Sequence, residues 1–203
     1  MDLLTIAVVV VAFVAAVVLY RFVNGSAIRA FSRLPVTAIA SVTVPGVYRL
    51  SGVARAVEDA PVSQASGRPY LAQDLRIVPS DGSDSGSTRA AQQGVDFLLD
   101  DGTGTALIRA DGSVIAIDRD FEAPQTTLDQ VPWVDTLLRA GGYRNGSPTT
   151  CKIRLYEGVL QPGDQAGVIG YLEPTDAVGS ATVVMRTNAG TRVMIRAEPG
   201  QPA

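Results

Sequence analysis

The sequence predicts a mainly β protein, with a single β-barrel or sandwich-like soluble domain and one short helix, preceded by an N-terminal transmembrane helix. Three observations predict this fold class. Residues 3–20 form an apolar run without charge that ends at Arg21. Behind it, short segments of β pattern recur between clusters of Gly, Pro and Asp. Sustained helical periodicity occurs in one later stretch, residues 127–139.

Residues 1–23 are predicted to be a membrane anchor. At about 1.5 Å per helical residue, this apolar run is long enough to cross a hydrocarbon core of roughly 30 Å. A cleaved signal peptide is the competing interpretation. The chain opens with Asp2 where a signal peptide carries basic residues, and the run is longer than the usual apolar region of about 7–15 residues. The sequence therefore favours an anchor and a lipid bilayer as partner.

The charges beside the anchor predict its orientation. Arg21, Arg29 and Arg33 all follow the apolar run, whereas the N-terminal side carries Asp2. Because basic residues are enriched on the cytoplasmic side, the rule places the soluble domain in the cytoplasm, with an extracytoplasmic domain as the alternative. Residues 24–34 form a juxtamembrane amphipathic segment. Such a segment lies at the lipid headgroups or packs on the domain, and the pattern allows both.

Residues 35–197 are predicted to form one domain, followed by a flexible tail at 198–203 that is rich in Gly and Pro. Turns with Gly, Pro, Asn and Asp separate its strands. The predicted strands are 47–57, 70–78, 95–100, 106–109, 114–117, 152–159, 166–172, 181–187 and 192–196.

The helix and the longest loop of the domain are also predicted from local pattern. Within residues 127–139 an apolar stripe has helical spacing, and it consists of Val131, Val134, Leu137 and Leu138. Thr127 with Gln130 resembles a capping box, and Pro132 fits the first turn of a short helix. Residues 79–93 contain almost nothing that could be buried, so we expect a flexible loop with a disordered tip.

The composition excludes several classes of function. The chain has no histidine and a single cysteine, Cys151, so it cannot build a catalytic site with His, a structural zinc site of Cys and His, or an internal disulfide. Cys151 is expected in the β core, or alternatively as a thiol of lowered pKa beside Lys152. A net charge of −3 with scattered basic residues argues against nucleic acid as a partner. No cofactor and no metal site is predicted, because the carboxylates lack the spacing of a Ca²⁺ loop.

Three ordered motifs within residues 46–172 resemble the GIDE domain, also called the BAM ("beside a membrane") domain. They are GVYRLSG followed by PVSQASGRPY, then FLLDDGTGTALI, and finally YEGVLQPGDQAGVIG. The positions that match the family are Pro61, Gly67, Pro69, Tyr70, Phe97, Asp100, Gly104, Glu157, Leu160, Gly163, Asp164, Val168 and Gly170. The family is known from mitochondrial membrane-anchored ubiquitin ligases and from many prokaryotic membrane proteins.

The resemblance implies a GIDE-like β domain close to a membrane. The ligases of the family transfer ubiquitin through a separate RING, which this chain cannot build with one Cys and no His. The topology predicted for this chain departs from that of the family in two further ways. Many members have a second membrane span after the domain. The ligases place the domain on the extracytoplasmic side, whereas the arginines here favour the cytoplasm. The expected function is therefore a non-catalytic binding or sensing module. Its partner would be a protein or a small molecule of unknown identity.

The motif residues have two interpretations. As structural turn residues, Gly67, Gly102, Gly104, Gly163 and Gly170 permit tight turns or close backbone approach, and nearby Asp side chains cap those turns. As candidate ligand residues, five side chains converge on one pocket, with Arg68 and Glu157 at exposed positions. These five are Arg68, Tyr70, Asp100, Glu157 and Asp164.

Two alternative functions use other features of the chain. A hydrolase that uses carboxylates alone would take its acid and base from Asp100, Asp101, Glu157 and Asp164, gathered within about 5–10 Å in one concave site. A structural organiser of a membrane assembly would instead show a large exposed apolar patch.

Overall fold

The structure, a computed structural model, describes residues 33–79, 89–140, 152–178, 180–188 and 191–198. The predicted anchor, Arg21, Arg29, Cys151 and the end of the predicted tail lie outside these residues, and Arg33 is the first residue described. Within the described ranges, no helix has the length and the apolar character needed to span a bilayer.

Five strands close into a barrel. They are β1 (Gly46–Ala56), β4 (Phe97–Asp100), β5 (Thr105–Ile108), β10 (Gln165–Val178) and β11 (Ala181–Arg186). β1 pairs antiparallel with both β4 and β10, β4 pairs with β5, and β10 pairs with β11. A parallel pair of β5 and β11 completes the ring. This order and these strand directions are those of an OB-type barrel. The predicted mainly β fold is confirmed, and of the two expected forms, a barrel or a sandwich-like domain, the structure has a closed barrel.

Two short strands and a second sheet flank the barrel. β12 (Met194–Ala197) pairs with β10, and β6 (Val114–Ile115) pairs with β12. The second sheet has the order β3-β2-β9-β7, and β8 also pairs with β9. Its strands are β2 (Ala72–Pro79), β3 (Arg89–Gly94), β7 (Phe121–Glu122), β8 (Thr126–Thr127) and β9 (Lys152–Leu160). β2 and β9 form its long central pair.

The barrel strands surround an apolar core. Its fully buried side chains include Leu50, Phe97, Leu99, Ile108 and Met185. At Gly170 on β10, an added Cβ would lie 2.7 Å from Cγ of Met185, so the glycine allows β10 and β11 to pack closely. A larger residue here would have to displace the side chain of Met185.

A second apolar core lies between the second sheet and helix α1 (Pro132–Ala140). A short 3₁₀-helix, Leu128–Gln130, precedes α1. Val134 of α1 is fully buried and packs in one cluster with Leu75 and Ile77 of β2 and with Ile153 and Leu155 of β9. The one short α-helix predicted from the sequence is thus present, and it covers one face of the second sheet.

Three local predictions are wrong. Residues 89–93, expected in a loop, belong to β3, because their backbone pairs with β2 although their side chains lack an apolar alternation. The α-helix begins at Pro132, five residues later than expected, and Thr127 makes no side-chain capping hydrogen bond. β10 continues to Val178 instead of ending at residue 172, since it keeps β11 as partner across a register shift between Pro174 and Val178.

Candidate functional site

The central feature of the candidate site is a buried carboxylate on β9. Side chains of β9 alternate between two faces, and Glu157 follows Ile153 and Leu155 on the face that packs toward α1. Its exposure is 0 %. The expectation that Glu157 is exposed is therefore wrong, because its position in the strand alternation points it into the protein.

Ser63 and Gln73 hold the carboxylate of Glu157. The Ser63 hydroxyl and the Gln73 amide both donate to Oε1 of Glu157. Gln73 Nε2 also donates to Ser63 Oγ at 3.0 Å, and the Ala65 backbone N–H donates to the same Oγ at 3.1 Å. Ser63 and Gln73 are themselves buried, with exposures of 3 % and 7 %. The three side chains form a polar network in which every donor has a defined acceptor, while Oε2 of Glu157 is buried without a hydrogen-bond partner.

Arg68 links this network to the surface. One of its nitrogens lies 3.5 Å from Glu157 Oε2. The guanidinium also makes two hydrogen bonds to the carboxylate of Asp120, at 2.8 and 2.9 Å, and lies over the ring of Phe121. The hydrogen bond to Asp120 raises the pKa of Arg68, and the same hydrogen bond lowers the pKa of Asp120. Arg68 therefore neutralises part of the charge on Glu157 and Asp120.

A cavity of about 420 Å³ opens beside Ser63 and Gln73; we call it the Gln73 cavity. Tyr70 from the loop before β2, Gln93 from β3, and Trp133 and Leu137 from α1 also line it. The Tyr70 hydroxyl donates to Gln93 Oε1 at 3.1 Å. Burial raises the pKa of Tyr70, and the negative charge of Glu157 raises it further. Tyr70 is therefore a neutral hydroxyl at neutral pH.

The structure brings together three of the five candidate ligand residues. Arg68 and Glu157 are in contact, and Tyr70 lines the adjoining cavity. Asp100 instead accepts a hydrogen bond from the Gly102 backbone at 2.9 Å in the turn between β4 and β5. Asp164 accepts one from the Gln161 backbone at 2.8 Å in the turn between β9 and β10. These two carboxylates therefore organise turns.

Asp101 also organises a turn, and it ties that turn to a distant segment. Its carboxylate accepts hydrogen bonds from the Thr103 backbone at 2.8 Å, the Gly104 backbone at 3.0 Å and, across the structure, the Ile39 backbone at 2.7 Å. Partial burial opposes the charged form, but these hydrogen bonds outweigh it and lower the pKa of Asp101.

The five glycines assigned to turns divide into two groups. Gly67, Gly102 and Gly163 have positive φ angles of 72°, 80° and 98°. Gly104 and Gly170 are not among the described glycines with positive φ. Their role is close approach, since a Cβ on Gly104 would lie 3.0 Å from Cγ2 of Ile39. Gly163 thus has the left-handed backbone of a tight turn, whereas Gly104 gives room for the side chain of Ile39.

Sequence reasoning missed Ser63, Gln73, Asp120 and Trp133 as members of the site. A signal for Gln73 does exist, because Gln73, Leu75 and Ile77 alternate in the way that Ile153, Leu155 and Glu157 do. When each of two predicted strands has a polar residue at a position where the alternation expects an apolar one, the two polar residues indicate a buried polar pair. Ser63 gives no such signal, since it reaches the network from an irregular segment.

Comparison with protein-family models, curated proteins and solved structures gave no match. The site is therefore interpreted from its own geometry. Among the residues that the structure describes, no group of three or more His, Cys, Asp or Glu side chains could hold a metal ion.

A second buried carboxylate lies on the opposite face of β2. Asp74 forms an ion pair with Arg119 at 2.6 Å. Burial raises the pKa of Asp74, although the charges of Arg119 and Arg76 oppose that shift. Asp74 follows Gln73 directly in the strand, so its side chain points away from the Gln73 cavity. This pair therefore contributes to packing and not to the candidate site.

Proposed function

We propose that the chain is a non-catalytic binding or sensing module of the GIDE or BAM kind, and that it takes its ligand in the Gln73 cavity. The observation that carries this proposal is a cavity of about 420 Å³ next to a buried polar network. Its volume lies within the range of roughly 300–1,000 Å³ that is typical of small-molecule sites. A polar network of this kind fixes the directions in which hydrogen bonds are offered to a ligand.

The network supports binding because it is already ordered. Glu157 and Ser63 hold the Gln73 amide, and the Ala65 backbone N–H holds Ser63, so Gln73 keeps its orientation at the cavity without rearrangement. A ligand then loses little free energy to the ordering of protein side chains. The aromatic rings of Tyr70 and Trp133 add apolar surface on the walls of the same cavity.

The chemistry of the acidic residues favours binding over hydrolysis. A hydrolase that relies on carboxylates needs two of them at one accessible site. Asp100, Asp101 and Asp164 hold backbone N–H groups in two turns, and Glu157 is fully buried. Ser63 is poorly placed to attack a substrate, because its side chain is buried and its oxygen already accepts hydrogen bonds from Gln73 and Ala65.

The membrane part of the proposal rests on the sequence. The uncharged run of residues 3–20 supplies the anchor, and Arg21, Arg29 and Arg33 favour a cytoplasmic position for the β domain. The module would then detect its ligand close to the inner surface of the bilayer.

The cavity is tested by filling it. Thr136 is an exposed residue of α1 at the cavity wall, so Thr136→Trp places a large side chain in the space without disturbing the core. Gln130→Trp, at an exposed position outside the cavity lining, is the matched control. The full chain in detergent is screened by thermal shift against neutral, acidic and basic small molecules and short peptides.

We expect at least one chemical class to raise the melting temperature of the parent and of Gln130→Trp but not of Thr136→Trp. The proposal is overturned if no class stabilises the parent. It is equally overturned if every stabilising compound acts as strongly on the filled variant.

A further inference from the structure

The Gln73 cavity is lined by neutral side chains. More than half of its described lining residues can make hydrogen bonds, and none of them carries a charge: these polar residues are Ser63, Gln64, Tyr70, Gln73, Gln93 and Thr136. Arg68 pairs with both Asp120 and Glu157, and none of these three is among the described lining residues. A charged ligand that moves from water into this cavity would meet no opposite charge on these walls. This transfer costs free energy.

Glu157 fixes the orientation of the Gln73 amide. A carboxylate can only accept hydrogen bonds, so the NH₂ group of Gln73 must point toward it. That NH₂ group also donates to Ser63, which uses its second hydrogen. The carbonyl Oε1 of Gln73 is the polar atom left for the cavity. Gln73 therefore presents an acceptor to a ligand.

Gln93 presents the complementary group. The Tyr70 hydroxyl donates to Gln93 Oε1. The NH₂ group of Gln93 can then donate hydrogen bonds to a ligand. Gln73 and Gln93 are directly opposite one another on β2 and β3. The Cβ atoms of such a pair lie about 4.5–5.5 Å apart. The cavity thus offers one donor and one acceptor at neighbouring positions.

Apolar surface lies beside these polar groups, on the α1 side of the cavity. Trp133 and Leu137 of α1 line it together with Leu75 and Ala91 of the sheet. A purely apolar ligand would leave the acceptor of Gln73 without a hydrogen-bond partner, which weakens its binding. The matching ligand has an apolar face, no charge, and neighbouring groups that both donate and accept hydrogen bonds.

We infer that the Gln73 cavity binds an uncharged carbohydrate of one or two sugar units. Each hydroxyl of a sugar donates and accepts, which matches the paired Gln73 and Gln93, and the C–H face of the ring matches an aromatic wall. The inference rests on the proposed function, because it names the ligand class of the same cavity.

The single tryptophan of the chain provides a direct test, since Trp133 lines the cavity. The full chain is purified in a polyoxyethylene detergent, which carries no sugar headgroup. Maltose, cellobiose and N,N′-diacetylchitobiose are then titrated while tryptophan emission is recorded. We expect at least one of them to shift the emission saturably.

The variants Gln93→Leu and Gln130→Leu make the same change at two exposed glutamines, inside and outside the cavity lining. Gln93→Leu should weaken sugar binding at least tenfold, whereas Gln130→Leu should leave it unchanged. The inference is overturned if none of the three sugars shifts the emission, or if Gln93→Leu binds as the parent does.

The two proposals fail in different ways. If a peptide or a charged compound stabilises the parent but not Thr136→Trp, while all three sugars fail, the carbohydrate inference is overturned and the binding cavity stands. If no class of compound stabilises the parent, the binding cavity itself is overturned.

Discussion

At the scale of single residues, Glu157 carries the largest expected effect on stability. It is fully buried and accepts hydrogen bonds from Ser63 and Gln73. Glu157→Ala leaves both buried donors without their acceptor and removes one of the two carboxylates beside Arg68. We expect the free energy of unfolding to fall by about 3–5 kcal/mol, measured by urea denaturation.

Glu122→Ala is the control for this prediction. Glu122 pairs with Arg154 at 3.3 Å on the surface, with about half of each side chain exposed. Such exposed pairs contribute about 0–1 kcal/mol. Equal losses in the two variants would contradict the structural role assigned to Glu157.

Asp101 gives a prediction about pH. Its folded pKa is lowered, so its contribution to stability is present above the unfolded pKa of about 3.9 and is lost as pH falls through the folded value. Asp101→Asn removes this charge and weakens the hydrogen bonds to the backbone. We expect it to cost about 1–2 kcal/mol at neutral pH. The difference from the parent should narrow below about pH 4.

Urea denaturation at a series of pH values measures this difference. Asp111→Asn, at an exposed position of another turn, serves as the control and should follow the parent at every pH. A gap between Asp101→Asn and the parent that stays constant down to pH 2 would show that the charge of Asp101 does not stabilise the turn.

At the scale of elements, Val134 is the fully buried side chain among those that the structure describes on α1, and Trp133 and Leu137 pack partly buried beside it. Val134 packs against β2 and β9, whereas Thr136 on the same helix is exposed. Val134→Ala should lower the free energy of unfolding by about 1–3 kcal/mol through the lost packing. Thr136→Ala should change it by less than about 0.5 kcal/mol. Thermal denaturation followed by circular dichroism compares the two, and matching losses would mean that α1 is not packed through Val134.

Strands in which apolar and polar side chains alternate could be predicted from the sequence. Strands that form only through backbone hydrogen bonds to a partner strand could not. β9 carries Ile153, Leu155 and Val159 in one phase, and its start was predicted correctly. β3 has the sequence RAAQQG, and its backbone pairing with β2 is a long-range contact that local pattern does not encode. The late start of α1 has a local reason instead, since Pro132 fits the first turn of a helix but not its interior.

The candidate site was predictable only in part. Arg68, Tyr70 and Glu157 came from motif positions, and the structure places them together. The cavity itself requires Trp133 of α1 and Gln73 of β2 to line the same space, which is a matter of tertiary packing. Asp100 and Asp164 were equally plausible ligand residues in sequence, because an Asp beside Gly serves turns and sites alike.

At the scale of the whole molecule, the β domain should fold without the anchor. The barrel and the second sheet bury their cores with residues after position 38. Deleting residues 2–23 should therefore give a soluble, β-rich protein that melts cooperatively. Gel filtration and far-ultraviolet circular dichroism measure this, and an aggregated product without a cooperative transition would contradict it.

The orientation of the full chain gives a further prediction at this scale. Because Arg21, Arg29 and Arg33 follow the apolar run, the β domain should be protected in intact cells. Protease is added to intact and to permeabilised cells, with a cytoplasmic protein as control. Digestion of the β domain in intact cells, while the control survives, would reverse the assigned orientation.

The closed ring has a consequence for synthesis. β1 and β10 seal the barrel through pairs that run from Gly46 with Leu172 to Val53 with Gln165. During synthesis the ribosome therefore completes β1, β4 and β5 long before it reaches β10 and β11. These two later strands pair with the free edges of β1 and β5. A product that stops short of residue 165 keeps both edges unpaired and prone to join other chains. Only a chain that includes β10 and β11 can therefore close the barrel and pair both edges.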